Sequence, residues 1–257
     1  MTESNSSPAS ILITGASSGI GAALALEFAG PGVRLALTGR NEARLNAVAE
    51  ACRTAGAEPR IEVLDVCERG PLATWVAEVD DAAPLDLVIA NAGISAGTGR
   101  GGESQAQTRR IVATNLDGVL NTVLPAVDRM RPRGRGQVAI MSSLAGFQGF
   151  PGAPAYCASK AAVRVWGEAL RGELHVAGIG VSVICPGYVR SPMTAVNDFP
   201  MPLLMDADRA ARIIRRGLAR DRPRIAFPWR LYVAVRLISA LPPGLTEPLL
   251  RRLPKKT

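Results

Sequence analysis

Tyr156 and Lys160, four residues apart in Tyr156-Cys157-Ala158-Ser159-Lys160, are the pair in this chain best suited to moving a proton. On a helix, positions i and i+4 share one face a turn apart, so an ammonium can sit beneath a phenol. A free phenol has a pKa of about 10 and is a poor base at neutral pH. A fixed cation beside it favours the phenolate and is expected to lower that value. Lys160 is the only lysine before Lys255 in a chain that otherwise uses arginine. The second chemical feature is the run Thr14-Gly15-Ala16-Ser17-Ser18-Gly19-Ile20-Gly21. Glycines at 15, 19 and 21 allow a sharp turn and bring backbone N–H groups close to a pyrophosphate, and a helix starting there aims its positive end at the same group. A glycine-rich turn alone marks only a turn; between a first strand and a first helix it has the context that dinucleotide binding requires.

The elements that must position these residues alternate along the chain. Strands are expected at 11–14, 33–38, 61–64, 85–90, 138–141 and 181–185, with a further strand-like run from Arg224 to Pro228. Helices are expected from Ile20 to Ala29, from the N-cap Asn41 through Ala55, from Arg69 to Val79, from Thr108 to Arg129 and from Ala155 to Val176. Continuous apolar strands alternating with helices predict a doubly wound parallel sheet. Gly97 to Gly102 reads as a mobile loop within that unit. The 257 residues suit one large α/β unit, and with aromatics at 4% its core must be mainly Ala, Val, Leu and Ile. Cys52, Cys67, Cys157 and Cys185 have neither disulfide-framework nor zinc spacing, which points to a reducing compartment. Met1 to Ser10 does not read as a secretory signal, and no apolar run reaches membrane-spanning length, so a cytoplasmic protein is expected.

The spacing TGxxxGIG at Thr14 to Gly21 resembles the short-chain dehydrogenase/reductase family, and further segments join it over roughly residues 8 to 200. Asn91-Ala92-Gly93 resembles the element packed beside the adenine, and Asp65-Val66 resembles the adenine-contacting pair. Pro186-Gly187 resembles the turn that seats the nicotinamide, with Val189 and Ser191 near its carboxamide. Serine stands at 191 where the family usually has threonine, which keeps the hydroxyl. Tyr156 and Lys160 match the family's YxxxK, Ser143 its catalytic serine, and Asn115 in Asn115-Leu116-Asp117-Gly118 the asparagine whose main chain bends its helix and orders a proton-relay water. The resemblance implies a Rossmann-type sheet of about seven strands, in the order 3-2-1-4-5-6-7, with helices on both faces and a C-terminal helical extension. Residues 1–228 would form the dinucleotide-binding and catalytic domain and 229–257 a basic, apolar extension of it. It also implies hydride exchange between a nicotinamide and a carbonyl or secondary alcohol, Ser143 holding the substrate oxygen and Tyr156 exchanging the proton. A homodimer or homotetramer is expected on the same ground. A dinucleotide-sensing protein without turnover is the competing reading, since fold does not fix function; such proteins commonly lose the tyrosine or lysine, and both are present.

Cofactor choice turns on the end of the second strand. NAD-selecting proteins place an acid there, about 20 residues past the glycines, to accept from the ribose 2′-OH. This chain offers Thr38-Gly39-Arg40, with no acid until Glu42, so NADP(H) is expected, Arg40 pairing with the 2′-phosphate. Gly15, Ser17, Ser18, Gly19, Ile20 and Gly21 would cradle the pyrophosphate, and Lys160 would reach both ribose and phenol.

The substrate-facing segments, 94–104, 144–154 and 192–205, hold Phe147, Phe150, Met193, Phe199, Met201, Leu203, Leu204 and Met205 with few charges. They suit a lipophilic carbonyl or alcohol, or else pack a lid onto the core. His175 reads as a helix-end residue, Cys157 as packing, and Arg129 to Arg135 as a solvated turn without any element that would read nucleic acid. Residues 209–257 carry thirteen Lys/Arg against Asp221 and Glu247, a net +11, whereas the preceding residues carry −3. Within this basic segment Trp229 to Leu241 has only Arg230 and Arg236 among apolar side chains, and Pro242-Pro243-Gly244 is expected to break it before a second short stretch, Leu245 to Leu253. A helix apolar nearly all round must be buried against something. A subunit interface or a wall of the substrate cleft is one partner; a membrane surface, with Trp229 and Tyr232 at the interface, is the other.

Overall fold

Ile11, Leu12 and Ile13 are fully buried, and this apolar run is the central strand β1 (Ser10–Thr14). The structure is a computed structural model that describes residues 8–95, 103–197 and 199–251, without the side chain of Leu249. The expected mobile loop at 97–102 lies outside the described residues, as do the chain ends. From β1 the chain runs through α1 (Gly19–Phe28), β2 (Arg34–Gly39), α2 (Glu42–Thr54), β3 (Glu58–Val63), α3 (Arg69–Ala82) and β4 (Leu87–Ala90). The second half comprises α4 (Gln105–Val112), α5 (Gly118–Met130), β5 (Gly136–Met141), α6 (Pro154–His175), β6 (Ile179–Pro186), α7 (Pro192–Ala195), α8 (Ala207–Leu218) and β7 (Arg224–Phe227). α9 (Trp229–Ser239) and α10 (Pro243–Leu250) follow. The seven strands form one parallel sheet in the order β3-β2-β1-β4-β5-β6-β7, a Rossmann-type doubly wound fold as expected. One face buries Leu24, Phe28, Leu45 and Ile214 from α1, α2 and α8; the other buries Trp75, Val76, Val123 and Leu170 from α3, α5 and α6. Strand order reverses between β1 and β4, where a crevice must open beyond the carboxyl ends of the strands.

Several elements depart from the sequence expectation. The single helix expected from Thr108 to Arg129 begins earlier, at Gln105, behind a Ser104–Gln107 capping box, and the bend expected at Asn115 takes the form of a π turn at Ala113–Asp117. The turn sits where the Asn115 side chain binds the Ile94 backbone twice, at 2.8 and 2.9 Å. Strand β3 starts three residues before the expected position; it is a sheet edge with mostly exposed side chains, so its apolar signal is weak. Helix α8 was not foreseen: Ala210, Ala211, Ile214, Gly217 and Leu218 make its buried stripe with small side chains. The Arg129–Arg135 turn is no mere solvated loop, because Arg129 and Arg133 close on buried Asp80 at 3.1 and 2.8 Å. The expected break at 242–244 falls earlier, between Ser239 and Pro243, and Pro243 itself opens α10, as suits a residue lacking an N–H. Of α9 only Val235 is buried outright; Trp229 is 67% exposed and Leu237 66%, so the all-round burial expected of this helix is not met within one chain.

Candidate active site

The crevice is a cleft of about 970 Å³. It runs from Arg40 and Arg44 at one end, past Gly15 and Tyr156, to Met193, Phe199 and Ile238 at the other. The turn from β1 into α1 is set by glycine. Gly15 has φ 67°, and a Cβ on it would lie 2.7 Å from the Ala92 Cα. A Cβ on Gly21 would stand 2.3 Å from the Gly15 carbonyl oxygen. The Thr14 hydroxyl accepts from the N–H groups of Asn91 and Ala92 at 3.1 and 3.2 Å, and Asn91 Nδ2 donates to the Thr14 and Gly15 carbonyls at 3.0 and 3.2 Å. Asn91 therefore spends its side chain fastening β4 to the turn, while Ala92 and Gly93 line the cleft beside it. Ser17, Ser18, Gly19 and Ile20 border the same stretch, and α1 begins without a side-chain cap on its first N–H groups.

At the far nucleotide end Asp65 lies 3.5 Å from Arg40 and accepts from the Cys67 N–H at 3.0 Å. Partial burial raises the Asp65 carboxyl, but the Cys67 N–H and the Arg40 guanidinium outweigh it and the net shift is downward. Val66 lines the wall beside it. Sequence reading missed Arg44, which reaches this end from the first turn of α2. The signal was present, since Asn41 caps α2 and fixes Arg44 one turn beyond Arg40.

Helix α6 brings Tyr156 and Lys160 to the middle of the cleft. Lys160 is 3% exposed, its Nζ donates to the Met141 carbonyl at 2.8 Å, and burial pushes the ammonium down to about 8. Nζ lies 5.9 Å from the centroid of the Tyr156 ring. The expected lowering of the phenol is not found: burial raises Tyr156, and the hydrogen bond with Ser143 only partly opposes it. The reason is physical, since Lys160 is engaged with a backbone carbonyl and desolvation acts on both groups. Ser143, two residues beyond β5, also donates to the Pro186 carbonyl at 3.3 Å. Asn115 Nδ2 donates to Ser159 Oγ at 3.1 Å, and that hydroxyl donates to the Tyr156 carbonyl at 2.8 Å. Asn115, Ser143, Tyr156 and Lys160 are thus brought together, with Ser159 as a link that sequence reading did not single out. Ser142 joins the frame by donating to the Lys160 carbonyl at 2.7 Å.

Beyond Pro186, the Ser191 side chain caps α7 by accepting from the Thr194 N–H at 3.3 Å, and the Thr194 hydroxyl donates to the Val189 carbonyl at 2.8 Å. A Cβ on Gly19 would come within 3.0 Å of Ser191 Cβ, so this segment sits directly against the nucleotide turn. Leu231, Ala234, Val235 and Ile238 on one side of α9 complete the apolar end of the cleft. The cleft-wall role expected as one option for this helix is met on that side. Buried Cys157 packs as expected, and His175 closes the last turn of α6.

The short chain dehydrogenase family model matches residues 9–199, and the chain belongs to that family. It is a dehydrogenase/reductase, an oxidoreductase of the class whose members bind NAD or NADP and act on small molecules. It is 39% identical over 243 residues to an uncharacterised oxidoreductase of Myxococcus xanthus, covering 94% of this chain and 96% of that one. A short-chain dehydrogenase from Sphingobium yanoikuyae, solved in complex with NADPH, superposes with a TM-score of 0.80 at 27% identity over 96% of this chain and 97% of that one. A short chain dehydrogenase from Mycobacterium paratuberculosis bound to NAD has a TM-score of 0.75 at 24% identity, over 84% of this chain and 94% of that one, a likeness of fold.

Proposed function

We propose that this chain is an NADP(H)-dependent oxidoreductase that interconverts a lipophilic carbonyl compound and its secondary alcohol, with Asn115, Ser143, Tyr156 and Lys160 as its working group. The observation that carries the reading is that one cleft joins a two-arginine end, the buried phenol–lysine pair and an apolar end. The donor set fits the dinucleotide. Ser17, Ser18 and the uncapped start of α1 would hold the pyrophosphate, Asp65, Val66, Asn91, Ala92 and Gly93 would border the adenine, and Val189 and Ser191 the carboxamide. Arg40 and Arg44 offer forked donors to a 2′-phosphate; the end of β2 itself carries no carboxylate, and Asp65, 3.5 Å from Arg40, would share that guanidinium with the phosphate. When bound, the dinucleotide supplies the hydride chemistry.

The chain's own residues supply position and a proton. Ser143, once its hydroxyl turns from the Pro186 carbonyl, and Tyr156 would both donate to one substrate oxygen. Tyr156, held protonated by burial, gives its proton to that oxygen as negative charge develops there, which suits the reducing direction. Lys160 stands ready to stabilise the phenolate left behind, and Asn115 keeps Tyr156 in place through Ser159. The apolar walls from α7 and α9 exclude water and favour a lipophilic substrate. A dinucleotide sensor has no need of a complete proton-transfer group, so turnover is the better reading. Because α9 lines the cleft, we treat 229–257 as an extension of the 1–228 domain. Association as a homodimer or homotetramer is carried over from the family resemblance. A cytoplasmic enzyme whose extension meets a membrane surface completes the reading; among the described residues no helix is long and apolar enough to cross a membrane.

Replacing Tyr156→Phe should cut turnover by roughly 10²-fold or more with NADPH affinity nearly intact. Steady-state rates across carbonyls of increasing chain length, with NADPH binding followed by fluorescence, test both parts. Turnover within a few-fold of wild type would remove Tyr156 from the chemistry.

A further inference from the structure

A second hollow, of about 360 Å³, lies away from the cleft, between α8 and β7 at the edge of the sheet. Arg216, Arg220, Arg222 and Arg224 line it, together with Tyr232. Arg224 is engaged, donating to Glu168 and to Tyr232 Oη at 3.0 Å. The nearest acid in sequence, Asp221, is held by Arg171 at 2.6 Å. Among the described residues no ion pair engages Arg216, Arg220 or Arg222. Three uncommitted guanidiniums around one concavity match phosphate oxygens, which they bind as planar forks.

Tyr232 also belongs to α9, and the next residues of that helix carry the other half of the surface. Trp229, Val233 and Leu237, at i, i+4 and i+8, are 67%, 45% and 66% exposed. Leu241 and Leu245 are exposed further along the chain toward α10; Arg230 lies over the Trp229 ring, while Arg236 is turned onto Phe147. The opposite side of α9 lines the substrate cleft.

We propose that the arginine hollow and the α9 ridge form one docking surface for an anionic bilayer, with lipid phosphates in the hollow and Trp229 and Leu237 in the acyl boundary. This deepens the membrane contact proposed above but does not depend on the assignment of catalysis. Charge selects the occupant. Residues 209–257 carry a net +11, so a second copy docked by a two-fold axis would bring like charges together, whereas an anionic surface neutralises them. The geometry is that of a helix lying in the interface, with basic residues beside an apolar face. It places the cleft wall formed by Leu231 and Ile238 on the same helix that meets the lipid.

The test is co-sedimentation of the full-length protein with vesicles of phosphatidylcholine alone or of phosphatidylcholine with phosphatidylglycerol, at low and high salt. Wild type should bind the anionic vesicles at least tenfold more tightly, and salt should weaken that binding. The triple variant Arg216→Gln/Arg220→Gln/Arg222→Gln should lose on the order of 10²-fold of the anionic affinity. Trp229→Ser/Leu237→Ser should lose binding at both salt concentrations. Both variants should reduce a water-soluble carbonyl at the wild-type rate, since neither touches the cleft. Equal affinity for the two vesicles, or none for either, overturns the proposal. So does wild-type self-association that Trp229→Ser/Leu237→Ser abolishes, which would assign the ridge to a second copy of this chain.

Discussion

The two ends of the cleft are built from different materials. The nucleotide end is largely backbone: β1, the glycine turn and the start of α1, fixed by Thr14 and Asn91 through hydrogen bonds of 3.0–3.2 Å. The substrate end is walled by apolar side chains of α7 and α9, such as Met193, Leu231 and Ile238. A backbone wall tolerates no added atom, whereas an apolar side-chain wall can exchange volume and still close. The difference predicts where substitutions are harsh and where they are graded.

The largest effect should come from Gly21→Ala, whose Cβ would stand 2.3 Å from the Gly15 carbonyl oxygen. NADPH affinity should fall by roughly 10²-fold or more, because the turn must open to relieve a backbone contact. Gly30→Ala is the control: nothing lies within 4 Å of the added atom, and calorimetric titration should leave its affinity unchanged. Where the two ends meet, Lys160 is buried with its ammonium pushed down to about 8, below the ordinary 10.5. Below pH 8 the cost of burying the charge is fully present; from pH 8 to 10.5 the folded state sheds its proton first, and wild-type stability rises. Lys160→Met should therefore gain roughly 2–3 kcal/mol at pH 7, less the bond to Met141, and the gain should vanish by about pH 10.5 while activity is lost. Urea midpoints at pH 7 and pH 10 decide this, and a gain independent of pH would break it.

A smaller effect is expected of Arg40→Asp, which removes the guanidinium proposed to pair with the 2′-phosphate and adds repulsion. A loss of about 1.5–3 kcal/mol in NADPH binding, with NADH gaining relative to it, should appear as a shift in the ratio of kcat/KM values. An unchanged ratio would leave Arg40 as the partner of Asp65 only. The smallest is Ile238→Ala in the side-chain wall. It should raise KM for the longest carbonyl roughly fivefold, about 1 kcal/mol of lost apolar contact, with short carbonyls unaffected. A uniform fall in kcat for every substrate would mean that the apolar end is as rigid as the glycine turn.

The same contrast explains what could be read from the sequence. Gly15, Gly19 and Gly21 are legible because a positive φ or a close approach leaves glycine alone at such positions. The Tyr156–Lys160 spacing is legible because helical periodicity decides what shares a face. The bend at Asn115 is legible only through the family resemblance, and its form as a π turn is not, since there the Asn115 side chain meets the Ile94 backbone and Ser159 Oγ, contacts 21 and 44 residues distant in the chain. Helix α8 escaped because its buried stripe uses alanine and glycine, with Gly217 under Ile225, and its arginines dominate the pattern. The direction of the Tyr156 shift escaped for a related reason. Neighbouring charge can be read from sequence, but desolvation is a property of the assembled interior.

The scarcity of lysine has an outcome that has nothing to do with chemistry at the cleft. Lys160 is the only lysine before Lys255, and it lies 3% exposed inside a helix of 22 residues packed on the sheet. A protease that cuts only after lysine therefore meets one interior target, and that target is hidden until α6 leaves its seat. Scission there counts the excursions in which the central helix comes away, undisturbed by fraying elsewhere. A dinucleotide that binds only the closed form stretches the interval between them by one plus its concentration over its dissociation constant. The residue that fixes the phenol's surroundings thus makes the chain its own tally of how often the enzyme comes apart at its centre.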